Sequence, residues 1–233
     1  MTDFNYQWKH LADSPYLDHN SDRVSELLNL TMLPREWFNE KYCLDVGCGS
    51  GRYTYAMQQL GANVISIDNN KYACQLTRQI NKYTFQHNIM KEPFYVRDCE
   101  LTFCYGVIHH TPDPKRTFVN IAKHVPSGGY LFVMVYRRSI SQRRYSTLRK
   151  AFKALPNVMR LPFVCFLTLI FRYNYIPPFY HPVHTIHGWW DALSPMYNFS
   201  FTDSEIMRWF TEAGFVNVTL THPINVCMRG QKQ

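Results

Sequence analysis

The sequence predicts an α/β fold, with helices on both faces of a mostly parallel, seven-stranded sheet. Short apolar runs alternate with segments of helical periodicity between residues 42 and 136, which is the pattern of repeated strand–helix–strand units. The first of these runs ends in glycines on alternate positions, Gly47, Gly49 and Gly51, which indicate a tight turn into a helix. The chain has 233 residues and is 46% hydrophobic, enough for one globular domain with a sizeable core.

Five strands and three helices are predicted in the central part of the chain. The strands cover residues 42–46, 63–67, 84–87, 101–105 and 130–136. The helices between them cover residues 52–60, 70–82 and 115–124. Because most consecutive strands are joined through a helix, they are expected to run parallel, with right-handed crossovers.

The segments on either side of this core complete a single predicted domain over residues 1–233. Residues 1–41 are expected to form a helical cover, which includes a helix over residues 22–30. Residues 137–200 interrupt the alternation after the fifth strand. A segment of that length inside a compact fold is interpreted as an inserted helical lid.

The last part of the chain, residues 201–233, is predicted to return to the alternating pattern. Thr202 and Glu205 have the spacing of a capping box, in which each side chain binds the backbone N–H of the other residue. An amphipathic helix is expected to follow this box. Two strands are then predicted, over residues 215–221 and 224–228.

Two aspartates flank the glycine-rich turn. Asp45 precedes the turn, and Asp68 ends the second strand, where an acid can accept hydrogen bonds from both hydroxyls of a ribose. A dinucleotide site has two residues between its second and third glycines, whereas only Ser50 separates Gly49 from Gly51. The Asp45 carboxylate would also repel a pyrophosphate, so the turn favours a ligand that carries an amino group and a sulfonium.

These residues resemble the motifs of a known family. The stretch Leu44–Gly51 resembles the first motif of class I S-adenosylmethionine-dependent methyltransferases, and Asp68 resembles the ribose-binding acid of their second strand. The resemblance covers residues 42–136 and, in outline, residues 202–228. It implies a Rossmann-like sheet whose last strand is antiparallel, and S-adenosylmethionine (SAM) as the cofactor.

The resemblance also implies roles for individual residues of the turn. Asp45 would anchor the amino group of the cofactor or order the turn. Asp68 would hold the ribose, with Asn69 beside it. The backbone of the three glycines would contact the cofactor, namely Gly47, Gly49 and Gly51.

A third segment, residues 87–94, resembles the part of the family that contacts adenine. Asn88 stands where relatives carry an aspartate that binds the adenine amino group, and an amide oxygen can also accept that hydrogen bond. Ile89 would pack on the ring. The alternative interpretation is an ordinary asparagine in a turn.

The run Tyr105–Pro114 resembles the stretch after the fourth strand in small-molecule methyltransferases of the ubiquinone and menaquinone type. Tyr105 and Gly106 would then lie beside the methionine part of the cofactor. His109 and His110 are the candidate catalytic residues, because an imidazole can act as a general base near neutral pH. The alternative is that one histidine fastens the loop. Adjacent side chains point apart in an extended chain, so no metal site is predicted here.

The inserted segment contains a second group of candidate residues, which we expect to face the acceptor. They are Tyr180, His181, His184, His187, Trp189 and Trp190. The alternative is a lid held together by aromatic packing alone. The three histidines would share one helix face, but the prolines at 177, 178 and 182 oppose a regular helix, so no zinc site is predicted.

The formal net charge of +8 favours acidic partners. A strongly basic run over residues 137–153 precedes an apolar run over residues 161–171. The basic run is interpreted as a solvated helix face, and the alternatives are contact with an anionic membrane or with a phosphorylated acceptor. Seven cysteines without a CxxC pair, and a polar first ten residues, lead us to expect a cytoplasmic protein, with peripheral membrane contact as a second possibility.

The functional prediction is methyl transfer from SAM to a small-molecule, glycan or lipid-linked acceptor, at oxygen. The segment Asp3–Trp8 is similar to the start of some methyltransferases from polysaccharide and secondary-metabolite clusters. The basic surface and the aromatic lid favour a glycan or phosphorylated sugar as the first acceptor class, and the apolar residues 161–171 suggest a quinone-like prenylated acceptor as the second. One alternative is a non-catalytic cofactor-binding or partner subunit with the same fold. The other is an RNA methyltransferase, although nucleic acid is not expected because no RNA-binding module is recognised.

Overall fold

The computed structural model describes residues 4–11, 21–91, 98–138, 140–171 and 186–233. The strands are β1 (Tyr42–Val46), β2 (Asn63–Asp68), β3 (Thr84–Gln86), β4 (Leu101–Tyr105), β5 (Tyr130–Val135), β6 (Phe215–Leu220) and β7 (Val226–Lys232). The helices are α1 (Phe4–His10), α2 (Ser21–Thr31), α3 (Arg52–Gln59), α4 (Lys71–Thr77), α5 (Pro114–Ala122), α6 (Ile140–Ala154), α7 (Asn157–Phe171), α8 (Ile186–Leu193) and α9 (Asp203–Glu212).

The seven strands form one sheet in the order β3-β2-β1-β4-β5-β7-β6. Strands β1 to β5 pair in parallel, and β7 pairs antiparallel with both β5 and β6. The predicted fold class, including the antiparallel last strand, is confirmed. The strand order reverses at β1, which has β2 on one side and β4 on the other, and open α/β sheets bind ligands at such a point.

Helices cover both faces of the sheet, as the sequence predicts. On one face, α5 and α9 bury Phe118, Ile121 and Phe210 against the strands. On the other face, α2 and α3 bury residues such as Leu27 and Met57. Each helix therefore presents one apolar stripe to the sheet and leaves its remaining surface to solvent.

Two elements differ most from their predicted extents, α4 and β7, while the others agree within one or two residues at each end. Helix α4 ends at Thr77 instead of residue 82, because Asn81 turns inward and donates from its amide to Val64 O and Ser66 Oγ, both at 3.0 Å. Strand β7 begins two residues after the predicted start at 224. His222 accepts the backbone N–H groups of residues 224 and 225, which keeps them in a turn.

The described elements divide into two compact units. The sheet, with α2 to α5 and α9, makes up one. The other contains α1 and the helices of the inserted segment, α6, α7 and α8. Its own core includes Phe152, Trp190 and Leu193, and Tyr6 of α1 stacks on Trp190 with ring centroids 4.4 Å apart. None of the helices in the described ranges is long and apolar enough to cross a membrane.

Candidate functional site

The turns that follow β1, β2 and β4 meet at the carboxyl edge of the sheet, around the point where the strand order reverses. The turn after β1 is tied to β2, since Gly47 N and Cys48 N donate to Ile67 O at 2.7 and 3.1 Å. It also packs against the turn after β4. A Cβ added to Gly47 would lie 2.2 Å from Val107 Cγ2. The structure thus brings together three of the sequence-predicted segments.

The glycines of the first turn are required by packing as well as by backbone conformation. Gly47, Gly49 and Gly51 all have positive φ, at 74°, 57° and 86°. A Cβ on Gly51 would lie 2.9 Å from Ile80 Cδ1, just as one on Gly47 would collide with Val107. The absence of a side chain at 47 and 51 is therefore explained by the chain's own close contacts, whatever ligand the turn holds.

Gly106, at the end of β4, differs from those two glycines. Its φ is +78°, and no heavy atom of the described chain lies within 4 Å of an added Cβ. The backbone of Gly106 therefore faces open space at the carboxyl edge. Tyr105 precedes it, and its ring packs on Tyr53 at 4.9 Å under the Arg52 guanidinium at 5.1 Å.

The Asp68 carboxylate holds two of the turns in place. One oxygen accepts the Gly49 N–H at 3.0 Å, and the other accepts the Asn70 N–H at 2.8 Å. Each carboxylate oxygen has two lone pairs, so both retain the capacity to accept a ribose hydroxyl. Asn69, the neighbour predicted to assist, is exposed and receives a hydrogen bond at its backbone carbonyl from Gln86.

Asp45 is buried and belongs to a polar network beneath the turn. Thr54 Oγ1 donates to the Asp45 carboxylate at 2.6 Å and lies 2.8 Å from Ser66 Oγ, which also accepts from Asn81. Of the two predicted roles for Asp45, these bonds favour ordering of the turn. The signal that could have found the network is a set of polar residues, Thr54, Ser66 and Asn81, within segments whose neighbours are buried and apolar.

The two aspartates make the site electronegative at an energetic cost. Burial raises the pKa of Asp45 to about 6, and the negative charge of Asp68 adds to that rise, while the hydrogen bond from Thr54 opposes it. Burial likewise raises the pKa of Asp68, against the backbone N–H donors of Asn70, Gly49 and Asn69. A cationic ligand would stabilise both ionised carboxylates.

The Asn88 amide oxygen accepts the Met90 N–H at 3.0 Å, which is the geometry of an asparagine turn. A second lone pair remains for an adenine amino group. The side chain of Ile89 is buried in the core of the sheet unit, and its carbonyl accepts from Asn120 at 3.0 Å. Ile89 therefore has a structural role independent of any ring.

His109 and His110 both lie in a short 3₁₀ turn and are buried. His110 Nδ1 donates to Tyr197 O at 2.9 Å, which fastens the loop after β4 to the segment before α9. His109 stacks on Tyr136 with centroids 4.0 Å apart, and neither of its ring nitrogens has a hydrogen-bond partner in the described part of the chain. Burial, helped by His110, holds the pKa of His109 well below its usual value.

The other motif residues of this loop serve to start a helix. Asp113 accepts the Arg116 N–H at 3.0 Å as the N-cap of α5, and Pro114 occupies the first helical turn. Glu100 precedes β4 and accepts the Tyr42 N–H at 2.8 Å and the Lys41 ammonium at 3.3 Å. It lies at the amino edge of the sheet, away from the turns of the candidate site.

The predicted acceptor residues fall partly outside the described residues. Tyr180, His181 and His184 lie outside them, and of His187 only the backbone is described, within α8. Trp189 and Trp190 are buried in the core of the second unit. Among the described residues, no group of three or more His, Cys, Asp or Glu side chains could hold a metal ion.

Comparison with known proteins identifies the family. A model of the methyltransferase domain matches residues 16–220. The chain belongs to this family. The family uses SAM as its methyl donor, and the site fits that molecule. Gly106 leaves open space, Asp68 lies at the carboxyl edge, and the buried Asp45 adds negative charge beneath the turn.

Individual relatives are distant. The ubiquinone biosynthesis O-methyltransferase of Nitrosomonas europaea is 27% identical over 120 residues, which cover 47% of this chain and 50% of that protein. The tRNA U34 carboxymethyltransferase of Aliarcobacter butzleri is 24% identical, over 56% of this chain and 46% of that protein. This methyltransferase domain thus aligns with about half the length of these curated relatives.

The fold likeness extends over the whole chain. A crystal structure of a SAM-dependent methyltransferase from Thermotoga maritima has a TM-score of 0.61 and 16% sequence identity, and the match covers 99% of both chains. At that identity the likeness establishes the fold alone.

Proposed function

We propose that this protein transfers a methyl group from SAM to a hydroxyl oxygen of a small-molecule acceptor. The observation that carries the proposal is the convergence of the acidic pair, Asp45 and Asp68, with the open backbone of Gly106 at the carboxyl edge of a methyltransferase domain. An acidic pair beside open space suits a cationic donor and disfavours a pyrophosphate.

The cofactor, when bound, supplies an activated methyl group, so the protein has mainly to bind and orient. Asp68 would accept the ribose hydroxyls while it holds Gly49 and Asn70 in place. Asp45 would add negative charge from below the turn, and Asn88 would receive the adenine amino group on its second lone pair. Gly106 would let the methionine part of the cofactor approach the β4 backbone.

A hydroxyl acceptor must lose a proton during transfer, and His109 is the group that we assign to take it. Its lowered pKa leaves it neutral at physiological pH, so one ring nitrogen has a free lone pair. Because a base of low pKa is weak, it suits an acidic hydroxyl, such as a phenol, better than an alcohol. The assignment requires the bound acceptor to reach a ring that is buried in this structure.

The acceptor class follows from this chemistry and from the relatives. The name of the Nitrosomonas europaea protein, ubiquinone biosynthesis O-methyltransferase, supports methylation at oxygen and an acceptor of the ubiquinone type. A glycan or phosphorylated sugar, the class that the basic surface and the aromatic residues of the insertion favour, carries alcohols that a weak base activates poorly. We therefore place a phenolic, lipid-linked acceptor first and a glycan second.

Titration calorimetry with SAM tests the cofactor site. The wild type should give saturable heat, and Asp68→Asn should weaken binding by tenfold or more, because one ribose acceptor and one negative charge are lost. Glu100→Gln is the matched control, since it also removes a carboxylate that accepts a backbone N–H, but at the amino edge of the sheet. No saturable heat for the wild type, or equal affinities for the two variants, would reject the proposal.

The same preparation separates the two alternatives. Transfer of a labelled methyl group from SAM to a phenolic acceptor would exclude a non-catalytic subunit. Because one relative is named a tRNA U34 carboxymethyltransferase, RNA is a second acceptor class to test. A substrate role for RNA would require RNA binding that weakens steeply as salt increases.

A further inference from the structure

Helix α7 is apolar on its exposed side as well as on the side that is packed. On the packed side, Val164 and Leu167 are buried in the core that contains Phe152, Trp189 and Trp190. A helix of a globular protein ordinarily presents polar residues on its opposite side. The opposite side of α7 instead presents Val158, Met159, Pro162, Phe166, Leu169 and Ile170, all of them exposed.

These six residues form one continuous surface, which we call the α7 apolar face. At 100° per residue they fall within roughly 120° of the helix circumference. Their exposure is large: 81% for Val158, 65% for Leu169 and 56% for Phe166. Single exposed apolar residues are common on soluble proteins, but a contiguous stripe of this kind marks an interaction surface.

The charge around the α7 apolar face indicates what covers it. Residues 140–171 contain six basic residues and no acidic one, namely Arg143, Arg144, Arg149, Lys150, Lys153 and Arg160. Lys150 and Lys153 are exposed on α6. Arg160 lies on α7 itself, where its guanidinium sits 5.4 Å from the centroid of the Phe152 ring.

We propose that α6 and α7 dock this protein on an anionic lipid surface, with the α7 apolar face in the interfacial layer and the basic residues against the headgroups. An exposed apolar helix face in the same compact unit as a set of Lys and Arg residues is the composition of an interfacial segment. Nucleic acid would be bound by the basic residues alone and gives no reason for an exposed aliphatic stripe.

The described length of α7 suits a position in the interfacial layer of the membrane. Its fifteen residues extend about 22 Å, which is short of the roughly 30 Å hydrocarbon core of a bilayer. Pro162, within the helix, is on the exposed face. A helix of this kind can bury one face among the headgroups and keep the other on its own protein.

Vesicle flotation with the full chain tests this inference. The wild type should float with phosphatidylcholine vesicles that contain phosphatidylglycerol, and less with phosphatidylcholine alone. Binding should weaken as salt rises, because screening acts on the basic residues. Phe166→Ser with Leu169→Ser should reduce binding by roughly tenfold or more. The matched control is Phe85→Ser with Ile224→Ser, two residues of the sheet unit with 48% and 47% exposure.

The basic residues are tested in the same way. Lys150→Ala with Lys153→Ala should weaken binding to the anionic vesicles by about fivefold for each lysine. Lys71→Ala with Lys82→Ala, two exposed lysines of the sheet unit, is the control and should bind as the wild type does. Equal loss in both pairs would mean that net charge alone is responsible, and would overturn the assignment to α6.

Two further outcomes would overturn the inference. One is a wild type that fails to float with the anionic vesicles. The other is a wild type that sediments as a dimer, becomes a monomer on the Phe166→Ser, Leu169→Ser change and binds no vesicles, because a second copy would then cover the face. Cofactor calorimetry on the same variants keeps this result separate from the proposed function: the α7 variant should bind SAM as the wild type does.

Discussion

At the scale of single residues, glycines with the same backbone conformation have different reasons to be glycine. Gly47 faces Val107 at a distance that admits no side chain, whereas Gly106 and Gly128 face open space. All three have φ between 74° and 81°. Their alanine variants therefore share a conformational cost of about 1–2 kcal/mol and differ only in what the added methyl group meets.

We predict that Gly106→Ala lowers SAM affinity by tenfold or more, while Gly128→Ala leaves it unchanged. Both variants should lose similar stability, because both are strained in the same way and neither collides with the described chain. Gly128 lies in the turn before β5, at the amino edge of the sheet. Its alanine variant therefore measures the backbone strain alone, away from the proposed cofactor site. Calorimetry and urea unfolding measure the two quantities; equal affinity for both variants would place the ligand elsewhere.

Gly47→Ala is predicted to act on stability. Its methyl group would lie 2.2 Å from Val107 Cγ2, so overpacking adds to the conformational cost, and we expect about 2–5 kcal/mol of destabilisation. Combining it with Val107→Ala should restore part of that loss, because the second change removes the colliding methyl group. A Gly47→Ala protein as stable as Gly128→Ala would contradict this explanation.

The buried Asp45 should make stability depend on pH. Its pKa rises from 3.8 to about 6 on folding, so the folded protein holds this proton more tightly than the unfolded chain. Ionising Asp45 in the folded protein lowers the free energy of unfolding. This loss is absent below pH 4, develops between pH 4 and 6, and is complete above pH 6, at about 3 kcal/mol.

Comparison with Asp45→Asn isolates this contribution. The asparagine keeps an oxygen for Thr54 but cannot ionise. The stability of the wild type relative to Asp45→Asn should therefore fall as pH rises from 4 to 6, and then level off. Urea unfolding at a series of pH values measures it. A difference that is constant across this range would show that Asp45 is not buried in ionised form.

Substitutions of the two adjacent histidines are predicted to have different effects on kcat. His109→Asn should lower kcat by about 10²–10⁴-fold on any phenolic acceptor and change SAM affinity little, because it removes the proton acceptor. His110→Asn can still donate to Tyr197 O from its amide and should keep most of the activity. A His109→Asn enzyme with unchanged kcat, at a thermal midpoint close to that of the wild type, would assign His109 a packing role only.

At the scale of elements, local sequence signals predicted helix starts better than helix ends. The capping box at Thr202 and Glu205 is present in full, with the Glu205 carboxylate accepting Thr202 N–H at 2.7 Å. Asn70 and Asp113 cap α4 and α5 in a similar way. The early end of α4 depends on Asn81 reaching Ser66 across 15 residues, and that contact has no local signal.

The cap of α9 gives a prediction at this scale. Thr202→Ala should destabilise the protein by about 1 kcal/mol, since it removes the side chain that accepts Glu205 N–H and exposes an unpaired donor. Thr211→Ala, in the last turn of the same helix, should change stability by less than half as much, because its hydroxyl bonds only to Met207 O. Denaturant unfolding measures the free energy of unfolding of both variants. Equal losses would mean that the capping box adds no stability beyond the packing of a threonine side chain.

At the scale of the whole molecule, the alternating pattern was sufficient for the sheet and its covering helices. All seven strands were predicted, because most of them contain short apolar runs bounded by turn residues. The core residues of the inserted segment were harder to predict from the sequence. Trp190 was expected to face an acceptor, yet it packs on Tyr6 and Phe152, residues that are far from it in sequence.

The candidate site also contains some residues that sequence motifs indicate and others that only the structure reveals. Asp68, Gly106 and Asn88 were predicted from motifs, because each stands beside a strand end, where ligands bind in such sheets, and their role toward the cofactor stays a prediction. The network under the turn and the collision between Gly47 and Val107 depend on how separate strands approach, which no spacing encodes. The site therefore combines motif residues that can meet a ligand with supporting residues that only the fold reveals.

A crystal structure with S-adenosylhomocysteine tests the central claim most directly. We predict that its ribose hydroxyls lie within hydrogen-bond distance of the Asp68 carboxylate, with the homocysteine part against the Gly106 backbone and the sulfur facing the acceptor space. Density for the ligand at another edge of the sheet, or a carboxylate of Asp68 that contacts only Gly49 and Asn70 in the complex, would contradict it.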